Sequence, residues 1–140
     1  MINKKLIILK LSKIKDYYKE MEPLLKFKPN EILADYYKLR TFEREFQLIV
    51  DTILDINTHI ISTLDFQIPD DYQGTFAILA QAKVLPEKFC NKFASVVGLR
   101  NMIVHKYEKV DNKKFIFDLQ KEAKDFKEYC GLIEKYIQKK

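Results

Sequence analysis

Residues 39–61 read LRTFEREFQLIVDTILDINTHII, and the apolar positions Leu39, Phe42, Phe46, Ile49, Ile53, Ile56 and Ile60 recur at alternating intervals of three and four. That spacing places all seven on one face of a helix and predicts a long amphipathic rod with its apolar stripe turned to a core. Three further stripes have the same period. The first is Ile7, Leu11, Ile14, Tyr18, Met21 and Leu25, in which Pro23 removes a backbone donor, so that helix should kink or stop near Glu22. The next is Phe89, Phe93 and Val96, followed by Arg100, Ile103 and Tyr107. The last, Ile116, Leu119, Ala123, Phe126, Cys130, Ile133 and Ile137, reads as a single closing helix. Four helices with modest connections predict an all-α, antiparallel four-helix up-and-down bundle.

The punctuation agrees. Three Gly and four Pro in 140 residues leave few turns for a β-rich fold. Pro69-Asp70-Asp71 separates the second helix from a short segment ending near Val84, so short extra helical pieces are expected in the connections. Pro86 suits the first turn of the third helix, where its missing N–H would be unpaired anyway, and Asp111-Asn112 offers an N-cap for the fourth. No repeat, low-complexity tract or linker interrupts the chain, and residues 1–140 are expected to form one domain.

A hydrophobic fraction of 47% excludes a disordered chain. No apolar run approaches the roughly 20 residues of a membrane helix. The start imitates a signal peptide, but its apolar run, Leu6 to Leu9, stops at Lys10, short of the roughly 7–15 residues a secretory segment needs, so a cytoplasmic protein without a membrane partner is expected. The formal charge is +5, yet only three of the 25 basic residues are arginine (Arg40, Arg44, Arg100). A lysine-rich balance permits a nucleic-acid partner without selecting one, because lysine acts as a point charge and lacks the planar fork of arginine. Cys90 and Cys130 lie far apart among apolar neighbours, which reads as two buried free thiols in a reducing compartment.

One stretch departs from the amphipathic norm: Gly98-Leu99-Arg100-Asn101-Met102-Ile103-Val104-His105-Lys106-Tyr107. A second stripe, Asn91, Ala94, Gly98, Asn101 and His105, is small or short and polar up to the histidine, so it would let another helix or a ligand approach closely. Arg100, an amide and one of two histidines converge there. The plainer alternative is structural: Arg100 pairs with a carboxylate across the bundle, Asn101 bonds a backbone group, and His105 caps a helix end.

Arg100 to Tyr107 follow the pattern R-N-x-x-V-H-x-Y, which resembles the R-x4-H-x-Y motif of the HepT-like toxins in the HEPN superfamily. The likeness extends to Arg44–Ile61, similar to that family's long second helix. It also covers Ile68-Pro69-Asp70-Asp71-Tyr72 with Phe76, Leu79 and Val84-Leu85, similar to the connector behind it. The resemblance implies a HEPN-like bundle and a metal-independent ribonuclease toxin needing no cofactor. It would act on RNA as a homodimer and be neutralised by an MntA-like nucleotidyltransferase antitoxin, with which it could assemble further. Carried over residue by residue, Arg100 and His105 would be catalytic, Asn101 would support them, and Tyr107 would be the hydroxyl that receives AMP. The runner-up is a non-catalytic, substrate-binding helical subunit of a two-subunit minimal nucleotidyltransferase.

The chemistry is coherent. RNA cleaves itself when its 2′-OH attacks the neighbouring phosphorus, which needs a base, an acid and positive charge on the phosphorane. Histidine serves as base or acid near neutrality, and guanidinium gives parallel hydrogen bonds to phosphate. One protomer carries one motif histidine, so a two-fold dimer that joins two third helices would supply both. Tyr107 sits about 200° around an ideal helix from His105, so either the helix ends between them or Tyr107 continues the core stripe. AMP on Tyr107 would add charge and bulk beside the site and repel RNA. Elsewhere, His59 with Asp55 suggests a hydrogen-bonded core or interfacial histidine, and Arg40 and Arg44 suggest a solvated face paired with Glu43 or Glu45. Two histidines without a second ligand pair give no metal framework, so no metal is expected.

Overall fold

Asn3 starts the first helix by accepting a hydrogen bond from the Leu6 N–H at 3.0 Å, and α1 runs over Lys4–Met21 in this computed structural model, which describes residues 2–104 and 112–140. Its stripe Ile7, Leu11, Ile14, Tyr18 and Met21 is buried. Pro23 then does what its missing donor requires: the α-helix ends and a 3₁₀ turn, Glu22–Lys26, follows. A short α2 (Pro29–Leu33) has its proline at the start, and Glu31 folds back to accept from the Lys28 N–H at 2.9 Å.

Residues 39–61 lie in α3, Tyr36–Ser62, whose 27 residues extend about 40 Å. Asp35 caps it, accepting from the N–H groups of Tyr37 and Lys38 at 3.0 and 3.2 Å. Its stripe Phe42, Phe46, Ile49, Ile53, Ile56 and Ile60 is wholly buried, and α1, α2, α4 (Gln73–Gln81) and α5 (Glu87–Val104) all pack on it. Pro86 immediately precedes α5, where its carbonyl accepts from the Cys90 N–H at 3.0 Å, one residue outside the position the sequence suggested.

The closing segment corrects one expectation. Its stripe is buried as predicted, but the helix is divided into α6 (Asn112–Ala123) and α7 (Phe126–Gln138) by a turn in which Asp125 N–H donates to Glu122 at 3.0 Å. Periodicity carries through the break, so it left no sign in the sequence. The cause is tertiary. α6 leans on α2 and α5, held by the Gln120 amide donating to the carbonyls of Leu24 (3.2 Å) and Phe27 (2.8 Å), whereas α7 runs against α1. The architecture is the expected all-α antiparallel four-helix bundle, with the fourth rod in two pieces and no strand among the described residues.

An aromatic cluster of Phe46, Phe76, Phe89, Phe93, Phe126 and Tyr129 fills the centre, with ring centroids 5.1–6.4 Å apart. Through it runs a buried polar chain. Tyr129 Oη donates to Asn57 Oδ1 at 2.6 Å, Asn57 Nδ2 donates to Thr75 Oγ1 at 3.1 Å, and Thr75 Oγ1 donates to the Tyr72 carbonyl at 2.7 Å. This chain joins α7, α3 and α4 and satisfies groups whose burial unpaired would be costly.

Candidate active site

Arg100 lies one turn before the end of α5, and Asp51 lies halfway along α3. Where these helices pack, Arg100 Nε donates to Asp51 Oδ1 at 2.7 Å, and Arg100 Nη1 donates to Asn101 Oδ1 at 3.3 Å. The arginine side chain is 20% exposed and the aspartate 37%, so the pair straddles the edge of the bundle. The carboxylate on Nε fixes the plane of the guanidinium, and the remaining donors of the fork are directed elsewhere. Of the four residues singled out in the sequence, Arg100 and Asn101 are therefore brought together. His105 and Tyr107 lie outside the described residues, as does any bond the motif histidine makes.

Asp51 was not foreseen. It lies 49 positions from Arg100 and belongs to no motif; only the docking of α5 on α3 identifies it, although a carboxylate partner for Arg100 had been the plainer alternative. The small-residue stripe behaves differently from a packed helix face. Asn91 is exposed, Ala94, Gly98 and Asn101 are half-buried, and a Cβ built on Gly98 meets nothing within 4 Å. Within the described residues of one protomer, that side of α5 is open.

His59 is half-buried and bonds outside the motif region: its Nε2 accepts from the Asn3 N–H at 3.1 Å, tying the start of α1 to the end of α3. Its sequence neighbour Asp55 pairs with Lys10 at 3.5 Å. Arg40 pairs with buried Glu43 at 2.7 Å, as expected of a supported surface cation. Cys90 and Cys130 are free and buried, and burial pushes each thiol up to about 11, which removes them as nucleophiles near neutrality. Glu45 is a further titratable group: burial, then the neighbouring Glu20 carboxyl, raise its carboxyl to about 7, with Arg44 opposing. Among the described residues no group of three or more His, Cys, Asp or Glu could hold a metal ion, and no helix is long and apolar enough to cross a membrane.

Known proteins share this architecture and about a quarter of the sequence. The mRNA nuclease HepT of Shewanella oneidensis is 26% identical over 133 residues, covering 92% of this chain and 96% of its own. The tRNA nuclease HepT of Aphanizomenon flos-aquae is 26% identical over 108 residues, 77% of this chain and 74% of its own. Among solved structures, a toxin–antitoxin with AMP-PNP superposes with a TM-score of 0.82 at 22% identity, covering 93% of this chain and 98% of that one. The tri-AMPylated Shewanella oneidensis HEPN toxin in complex with its MNT antitoxin gives 0.80 at 23% identity, covering 91% and 96%. The sequence model of the family described as Ribonuclease HepT-like matches residues 14–133. With most of its length matched, the chain belongs to the Ribonuclease HepT-like family.

Proposed function

We propose that this protein is a HepT-type ribonuclease toxin that cleaves RNA without a metal ion, at a composite site where two protomers meet. The observation carrying this reading is Arg100, held by Asp51 and Asn101 at the head of the R-N-x-x-V-H-x-Y motif in a chain of this family. With Nε committed to Asp51, the outer edge of the guanidinium can take two phosphate oxygens and stabilise the phosphorane. One His105 imidazole removes the 2′-OH proton as that oxygen bonds to phosphorus. The other protomer's imidazolium gives a proton to the departing 5′-oxygen. The products are a 2′,3′-cyclic phosphate and a 5′-OH. Asn101 supports Arg100, and the open stripe of Ala94 and Gly98 lets two α5 helices approach. Residues 1–140 act as one cytoplasmic domain. An MntA-like nucleotidyltransferase antitoxin neutralises it by attaching AMP to Tyr107, whose added negative charge repels RNA phosphates.

Expression of wild type, Arg100→Ala and His105→Ala in a bacterium tests the assignment. Toxicity is expected to vanish in both variants, with a cyclic phosphate product from purified wild type and full activity in EDTA. A toxic His105→Ala, a 3′-OH product or inhibition by chelation would overturn the mechanism. A second reading, a non-catalytic helical subunit that presents substrate to a nucleotidyltransferase, draws support from the Asp51 pair, because a half-buried and neutralised arginine also serves pure structure. Under that reading purified protein cleaves no RNA, yet activates the nucleotidyltransferase.

A further inference from the structure

At the opposite end of α5 from Arg100, a cleft of about 630 Å³ opens between the α4–α5 turn and the end of α7. Lys83, Lys135, Lys139 and Lys140 line it with a single acidic side chain, Glu87, and Tyr136 forms part of its wall. Among the described residues, Lys83, Lys135 and Lys139 make no ion pair, unlike Lys15 or Lys92, which are paired with Glu134 and Glu128. Lys140 Nζ lies 5.0 Å over the Tyr136 ring, and Lys4 Nζ donates to the main-chain oxygen of Lys140 at 2.6 Å, so Lys140 is held against α7 and the start of α1.

Lys83 is unusual in its backbone. It ends α4 in the left-handed region, φ 61°, while the Val84 N–H reaches back to the Leu79 carbonyl at 2.9 Å. This is a Schellman stop, whose left-handed position favours glycine. Lysine adds nothing to the turn itself except a charged side chain at the mouth of the cleft. The groove between α1 and α7, about 310 Å³, offers no such field, because its Lys15 and Lys127 are paired with Glu134 and Glu22 at 2.6 and 3.2 Å.

We propose that this lysine cleft is a second RNA-binding site that holds the phosphodiester backbone away from the reacting bond. The proposal rests on the ribonuclease reading for its choice of polyanion. Unpaired lysines act as point charges and recognise phosphates whatever the base sequence. From Glu87 to Arg100 the helix rises about 20 Å, which at roughly 3.4 Å per phosphate in a stacked strand is about six phosphates. Long RNA can therefore occupy both places, and a dinucleotide can occupy only one.

The test uses the full chain carrying Lys83→Gly, Lys135→Gln and Lys139→Gln together, with Lys83→Arg as the charge-retaining control. Binding of a long, 2′-O-methylated single-stranded RNA, which cannot be cleaved by 2′-OH attack, is followed across salt concentrations. Loss of three phosphate contacts should lower the slope of log affinity against log salt by about 2 and weaken binding at least tenfold at low salt. Cleavage of a dinucleoside phosphate should be unchanged, and Lys83→Gly alone should raise Tm while weakening RNA binding, which separates charge from folding. An unchanged salt slope, or a loss confined to antitoxin binding, overturns the cleft. A wild type that binds RNA through these lysines but cleaves neither substrate supports the cleft and overturns the ribonuclease reading.

Discussion

Tyr129→Phe removes one oxygen from the centre of the bundle. The ring keeps its place against Phe93 and Phe89, with centroids at 6.1 and 6.4 Å, so no cavity larger than a hydroxyl forms. What is lost is the donor to Asn57 Oδ1 at 2.6 Å, and Asn57 is completely buried. A buried acceptor left unpaired costs about 1–3 kcal/mol. Unfolding entropy near about 2.1 cal/mol/K per residue gives roughly 0.3 kcal/mol/K for a chain of 140 residues, so Tm should fall by about 3–10 °C. The chain contains no tryptophan, so far-UV circular dichroism in urea, at one fixed protomer concentration, is the suitable assay. Asn57→Leu should also be destabilising, because it leaves Tyr129 Oη only its longer bond to the Ile53 carbonyl at 3.3 Å and removes the donor to Thr75 Oγ1. The double variant should be more stable than the sum of the two losses by about 1–2 kcal/mol, since both changes break the same Tyr129–Asn57 bond. A Tyr129→Phe protein within about 0.5 kcal/mol of wild type, with unchanged urea slope, would refute the reasoning.

Other expectations follow from the same contacts. Glu45 titrates at about 7 in the fold against about 4.5 ordinarily, so the folded state holds the extra proton between those values; stability is full below about 4.5 and falls as pH rises through 7. Glu45→Gln should thus gain about 1–3 kcal/mol at pH 8 and little at pH 4, read from denaturation at both values. Asp51→Ala should change stability by no more than about 1 kcal/mol, because its pair with Arg100 is half-exposed. A misplaced guanidinium should nevertheless lower RNA cleavage by ten- to a hundredfold, and unaltered turnover would remove Asp51 as a positioning residue. Gly98→Ala should stabilise the protomer by up to about 1 kcal/mol, since its added methyl meets nothing within 4 Å, whereas Gly98→Leu should separate a homodimer that packs through α5. Light scattering that finds the leucine variant still dimeric would move the interface elsewhere.

The sequence determined the helices and the motif. Apolar residues three and four apart can be buried together only on one helical face, so the stripes of α1, α3 and α5 and the stop at Pro23 were fixed locally. Arg100 and Asn101 are adjacent in the chain, so their meeting also needed no fold. Contacts between helices were decided elsewhere. Asp51 finds Arg100 across 49 positions, and Tyr129 finds Asn57 across 72. Periodicity says which face of a helix is buried and nothing about the neighbour or depth at which it docks. For the same reason α6 and α7 share one uninterrupted stripe but bend at Lys124–Asp125 to follow different partners, α2 and α5 on one side and α1 on the other. Lysines scattered over residues 83 to 140 became a single cleft only when α7 closed against the turn after α4. A side chain's chemistry belongs to the sequence, but what it can reach is set by how the rods pack.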